Sequence, residues 1–218
     1  MRLLRTLGFA AAGACGAIAG CMVLSVAQVA SGPVNPTPSL IVPGLRVGVL
    51  NLGDTRDRAL KLFPFKTNMD QEFPQEPDCG TELNWVDIDN PKGGNMFIRM
   101  RNNVVFQIDS ATDRYRTAEG ITVGSPPEEV RKHYPHLRSY VLSNITTTSW
   151  YPTVYWIDRD EGIAFAFDKP RRKPKRYLHE IIVFEPKSEV CPTDDSIHSP
   201  AKRELKPYSL DPSDLKAD

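Results

Sequence analysis

Two stretches of this chain are nearly one stretch written twice. Residues 49–64 read VLNLGDTRDRALKLFP and residues 120–135 read GITVGSPPEEVRKHYP. Aligned without a gap, Gly53 meets Gly124, Asp54 meets Ser125, Asp57 meets Glu128, Lys61 meets Lys132 and Pro64 meets Pro135, an offset of 71 residues. The same offset sets Trp85 on Trp156, inside LNWVDID and VYWIDRD. A fixed period is the mark of a duplicated module, so the fold must be one that can be built twice.

Each copy predicts a helix followed by strands. In the first, Asp54 is placed as N-cap with Asp57 three residues on; in the second, Ser125 and Glu128 make an S-x-x-E capping box. Pro126 and Pro127 fit the first turn, where a missing N–H costs nothing. Ala59 with Phe63, and Val130 with Tyr134, give each helix an apolar i, i+4 pair, and Pro64 and Pro135 end it. Helices this short need a sheet to lie on. Alternation predicts strands at 83–89, 95–101 and 104–110, then at 153–158, 163–167 and 178–185. In the second of these, Met96, Ile98 and Met100 share one face, with Phe97, Arg99 and Arg101 on the other. Asn102-Asn103 fits a tight hairpin. The fold class expected is α+β, a tandem repeat of two α-β-β-β modules, at 44–118 and 119–192, each a short helix packed on a three-stranded antiparallel sheet.

The ends of the chain read differently. Residues 1–5 are basic and residues 6–30 carry no charge, which predicts an export signal or membrane anchor at 1–30, outside the fold. Three fates fit. Ile18-Ala19-Gly20-Cys21 resembles a bacterial lipobox, with Cys21 lipidated; Ser25-Val26-Ala27 offers a signal-peptidase site; and residues 7–30 reach the ~20 residues that an uncleaved span requires. All three place the remainder outside the cytoplasm. Residues 31–43, with four prolines, predict a stiff tether, and the polar, aperiodic stretch 193–218 predicts a disordered tail. Cys15 and Cys21 fall in the export segment, leaving Cys79 and Cys191. In an oxidising compartment these two are expected to pair, closing a loop of about 110 residues; two free thiols are the alternative.

The phrases LGDTRDRALKLFP and VGSPPEEVRKHYP resemble the one that opens the SmpA/OmlA (BamE-type) envelope lipoprotein domains and the related tandem fold of the β-lactamase inhibitory protein. The resemblance covers about residues 44–192. It implies helical segments on one face of a small antiparallel sheet, and a non-catalytic, protein-binding role in the cell envelope. It carries over no binding residues.

Motifs for chemistry are few. The chain has no G-x-S-x-G, H-E-x-x-H or phosphate loop, and of its four histidines only His133 and His136 are close, flanking Pro135. No catalytic residue, metal ligand or cofactor is expected. The repeated Trp-x-Asp-x-Asp row makes Trp85, Asp87, Trp156 and Asp158 a candidate ligand surface, because clustered carboxylates beside an indole suit a sugar or a hard cation. Asp where a strand enters a turn has the plainer role of bonding to the backbone. Lys169, Arg171, Arg172, Lys173, Lys175 and Arg176, spaced by two prolines, form a basic hairpin loop suited to an anionic membrane or polysaccharide surface or an acidic protein. Formal net charge is zero, which argues against nucleic acid as partner. The expected function is that of an exported, membrane-tethered, non-catalytic envelope protein binding another macromolecule. The alternatives are a carbohydrate- or metal-binding module or hydrolase using the Trp/Asp rows, and a secreted protein inhibitor.

Overall fold

The computed structural model describes residues 38–67, 70–74, 79–143, 153–168, 176–192 and 204–209, all within a unit spanning Asn35–Asp218. It opens with three two-residue strands, β1 (Ile41–Val42), β2 (Arg46–Val47) and β3 (Leu50–Asn51), joined as a small antiparallel sheet. Helix α1 (Arg56–Leu62) follows. Next come β4 (Gln71–Pro74), β5 (Thr81–Val86), β6 (Asn95–Arg101) and β7 (Val104–Ala111). Helix α2 (Pro127–His133) then precedes β8 (Arg138–Ser143), β9 (Val154–Asp158), β10 (Ile163–Asp168) and β11 (Tyr177–Phe184). The final strand is β12 (Glu204–Pro207).

The two similar phrases adopt the same local structure, by a route that differs from the predicted capping. The cap of α1 is Thr55, whose Oγ1 accepts from the Arg58 backbone N–H at 3.3 Å. Asp54 instead accepts from the Asn51 N–H at 2.9 Å. Ser125 does the equivalent, its Oγ accepting from the Thr122 N–H at 3.0 Å, while Pro126 holds the cap position of α2 with no side-chain bond. Both side chains therefore close the turn ahead of the helix rather than the helix itself. Between them Gly53 and Gly124 sit at φ 86° and 90°, where a side chain is strained although space for one exists. The Gly53 N–H donates to Val105 and the Gly124 N–H to Leu178, each at 2.7 Å. Each phrase is thus tied to the strand that ends its half of the chain.

The predicted tandem of separate modules is not what forms. Strands dominate, and nine of them make one antiparallel sheet in the order β12-β8-β9-β10-β11-β7-β6-β5-β4. Two four-stranded meanders, β4–β7 and β8–β11, meet at β7 and β11, where Ile181 faces Ser110, Ile182 faces Asp109 and Val183 faces Ile108. The physical reason is at the edges. In separate three-stranded modules β7 and β11 would each present a long row of unpaired backbone groups, and each satisfies the other's. The prediction also missed β4 and β8, the fourth strand of each meander. It missed β12, which forms within the stretch expected to be disordered.

One core serves both halves. On the first face of the sheet, Leu83, Met96, Ile98 and Ile108 join Ile181, Phe165 and Val154 in a single buried cluster. Ala59 and Phe63 of α1, Val130 and Tyr134 of α2, and Ile41, Val47 and Leu50 of the small sheet cover it. The i, i+4 pairs predicted on the helices thus face the core. Phe63 meets Trp85 edge-on at 5.3 Å and Tyr134 meets Phe165 at 4.8 Å. The second face carries a smaller apolar cluster around Tyr155, Ile157, Ile182, Phe184 and Val190.

Candidate functional site

The second face is unusual because it buries charge. Arg99 on β6 has no solvent exposure. Its Nε donates to Asp109 Oδ2 on β7 at 3.0 Å, and its Nη2 pairs with Glu82 Oε2 on β5 at 2.9 Å. Strand register explains the meeting, since Glu82 lies opposite Arg99, and Asp109 sits two places from Gln107, which also faces Arg99. Burial pushes the Arg99 guanidinium down, but Asp109 and Glu82 outweigh it and hold the group above its ordinary value. Glu180 of β11, 1% exposed, adds a further carboxylate to the same field. Burial raises the nearby Tyr155 phenol well above its usual range, and the Glu180 charge adds to the effect.

Gln107 extends this network to the end of the described core. Its Nε2 donates to Asp109 Oδ1 and to the Cys191 carbonyl, both at 2.7 Å, and its Oε1 accepts from the Cys191 N–H at 2.8 Å. A side-chain amide here bonds a backbone unit as a neighbouring strand would. Cys191 is in turn bonded to Cys79, just ahead of β5, in a disulfide with Cα atoms 5.7 Å apart. The segment after β11 is therefore a strap. It is fixed to β7 by Gln107 and to the start of β5 by the disulfide, with Val190 packed on the apolar cluster. Of this assembly the sequence yielded only the cysteine pair. The apolar–polar alternation of β6 placed Arg99 away from the core, and nothing in the pattern showed that a second layer covers it.

The predicted ligand row does not form an exposed surface. Trp85, Asp87, Trp156 and Asp158 are 6%, 0%, 1% and 7% exposed. Asp87 accepts from Arg114 Nη2 at 2.7 Å and from Thr112 Oγ1 at 3.3 Å. Asp158 Oδ1 accepts from the N–H groups of Asp160 and Glu161, both at 3.1 Å, the ordinary work of Asp in a turn. Arg131 lies over the Trp156 ring, 4.5 Å from its centroid. The Asp158 carboxylate is held by its own turn, the Asp87 carboxylate by Arg114 and Thr112 from the segment after β7, and the indoles by the core. Close to Asp158, burial and then the Asp158 and Glu119 charges push the Glu161 carboxyl above its usual range.

Of the basic loop, Lys169, Arg171, Arg172, Lys173 and Lys175 lie outside the described residues, as does Cys21. Arg176 is described and does not project into water. It is 5% exposed, with Nη1 reaching the Phe167 carbonyl at 3.4 Å. At the other end of the loop Asp168 accepts from Thr153 Oγ1 at 2.7 Å. Among the described residues no group of three His, Cys, Asp or Glu side chains is placed to hold a metal ion. An open cavity of about 480 Å³ lies beside the start of α1, lined by Thr55, Arg56, Asp57, Asn102, Asn103 and Val104.

No family model and no curated protein matches the chain. Among solved structures the chain is similar to the uncharacterized protein yfeY from Escherichia coli, at 13% identity and a TM-score of 0.44, over 66% of this chain and 99% of that one.

Proposed function

We propose that this chain is an exported, membrane-tethered envelope protein that binds another macromolecule and performs no catalysis. The observation that carries the reading is the Cys79–Cys191 bridge. Such a bond persists in oxidising compartments and is rare in a reducing cytosol. It agrees with an N-terminus that reads as an export signal or anchor, with Cys21 as a lipidation site. The resemblance of the two phrases to SmpA/OmlA-type domains supports the same role. The polar side chains resolved on the second face are engaged with one another and with the strap. They hold a surface in shape, which is what a binding scaffold requires. The basic run 169–175 between β10 and β11 adds charge suited to an anionic partner or surface. Among the described residues no helix is long and apolar enough to cross a membrane, so tethering rests on residues 1–30.

The test is to express the chain in a Gram-negative host, fractionate the cells and measure the intact mass of the mature N-terminus. A membrane-bound product that starts at a diacylglycerol-modified Cys21, or that keeps Met1 as an anchor, supports the proposal. A chain in the cytosolic fraction with Met1 intact and both Cys79 and Cys191 alkylatable overturns it.

A further inference from the structure

Exposed charge among the described residues is split between the two ends of the long strands, and β11, Tyr177–Phe184, marks both. Where β11 finishes, the β9–β10 turn and the residues that follow β11 expose Asp160, Glu161, Glu185 and Glu189, with Arg159 and Lys187 as the cations among them. The Lys187 N–H donates to the Arg159 carbonyl at 2.7 Å, and the Glu119 charge is felt at Glu161. Where β11 starts, the balance reverses. β7 runs against β11, with Gln107 opposite Phe184 and Ser110 opposite Ile181, so the residues after β7 lie level with that start. Two ion pairs there cancel, Arg114 with Asp87 at 2.7 Å and Lys92 with Asp113 at 2.6 Å. Asp168 and Tyr177 face each other across β10 and β11, and the sequence that joins them, KPRRKPKR, adds five cations besides the buried Arg176. Asp168 and the acids in the first turn of α2, Glu128 and Glu129, offset only part of them. The chain also enters the body at this basic end. The Arg116 N–H donates to the Ser39 carbonyl at 2.9 Å, Arg116 bridges in turn to Thr122, and the Gly124 N–H donates to Leu178 at 2.7 Å. Ser39 thus lies about three strand spacings, roughly 15–20 Å, from the start of β11. From there the arm runs to the acidic end, where the Gly44 N–H donates to the Gly162 carbonyl at 3.1 Å, which also accepts from Phe184.

We propose that the basic end of the body lies on the membrane that holds the N-terminus, in contact with the anionic headgroups of that bilayer, and that the acidic end faces away. The proposal rests on the reading of the chain as membrane-tethered and adds a second contact to the first. The tether is short enough to enforce proximity. Residues 31–37 lie between the predicted anchor and Pro38 and reach at most about 25 Å, and residues 22–37 lie between Cys21 and Pro38 and reach at most about 55 Å. A body held so close turns whichever end the surface attracts toward it. Each basic residue near an anionic leaflet adds attraction that salt screens, and the acids at the far end are repelled, so both ends favour one orientation. Tyr177, 37% exposed at the root of the basic run, is an aromatic of the kind that sits at a headgroup boundary.

The experiment reconstitutes the full chain into vesicles of phosphatidylcholine alone, or with about 30% phosphatidylglycerol to give the surface a negative potential. Both are treated with acetic anhydride, an uncharged reagent, and lysine acetylation is read by mass spectrometry. On anionic vesicles Lys92, Lys169, Lys173 and Lys175 should react roughly threefold or more slowly than on neutral ones, and Lys187 at the acidic end should react as before. Sodium chloride at about 0.5 M should remove the difference. Exchanging Arg171 and Arg172 for Glu should restore the reactivity of Lys92 too, because the run then no longer holds the body down. Equal reactivity of the four lysines on the two kinds of vesicle overturns the proposal while the tether stands. Protection of Lys187 in place of Lys92 also overturns it, by putting the acidic end on the membrane. A chain that stays in solution with both kinds of vesicle removes the tether itself, and the proposal with it.

Discussion

At the scale of single residues, Arg99 and Asp70 do the most for their size. Arg99 is a buried cation whose role is to satisfy two buried carboxylates, Glu82 and Asp109. Arg99→Met keeps the volume and abandons both acids, so it should cost about 3–5 kcal/mol in a urea titration at pH 7. Asp70 has the opposite task, a carboxylate held by backbone. It accepts from the N–H groups of Lys66, Thr67 and Val86 at 2.6, 2.7 and 2.8 Å, fixing the loop after α1 to the end of β5. Burial pushes its carboxyl up, but these donors outweigh it and hold the group below the usual range. A carboxylate depressed by folding contributes stability that is complete above its unfolded value of about 3.9 and is lost as pH falls through the folded one. Asp70→Asn should lower stability at pH 7 by about 1–3 kcal/mol and by much less near pH 3, and paired urea titrations at the two pH values measure the difference. Neither role was legible in the sequence, where Arg99 was one polar residue in an alternating strand and no motif marks Asp70.

Among the elements, the strap is the one that the disulfide makes. Cys79 and Cys191 are 112 positions apart, so their bond restrains most of the described chain in the unfolded state. Replacing both with Ser should lower stability by about 4–5 kcal/mol in guanidinium titrations, and adding a dithiol reductant to the wild type should reproduce that loss. The two helices and six of the twelve described strands were legible because their signals are local: Pro64 and Pro135 as stops, Asn102 and Asn103 as a hairpin with φ 52° and 62°, and alternation in β6. Capping was misjudged by one residue, since Thr55 caps α1 where Asp54 was expected. An oxygen at either position can reach a free N–H, and only the three-dimensional turn decides which one does. The Trp/Asp rows were legible as strand ends, and their burial was not, because alternation gives a face without saying what covers it.

Over the whole molecule, the lesson concerns edges. Period and alternation describe what one strand does, and the pairing of β7 with β11 is a bond between two strands far apart in sequence. No local pattern encodes it, so two modules were expected where one sheet forms. The single core on the first face predicts one cooperative transition in differential scanning calorimetry, with calorimetric and van't Hoff enthalpies equal; independently folding halves would give two. The claim that joins fold, strap and compartment is that Cys79 and Cys191 are bonded in the protein as the cell makes it. Peptide mapping by mass spectrometry, on protein taken from its native cells and alkylated before any reduction, tests this most directly. A cross-linked pair of peptides carrying Cys79 and Cys191, with neither thiol alkylated, is the result predicted. Recovery of both peptides separately, each alkylated, would contradict it.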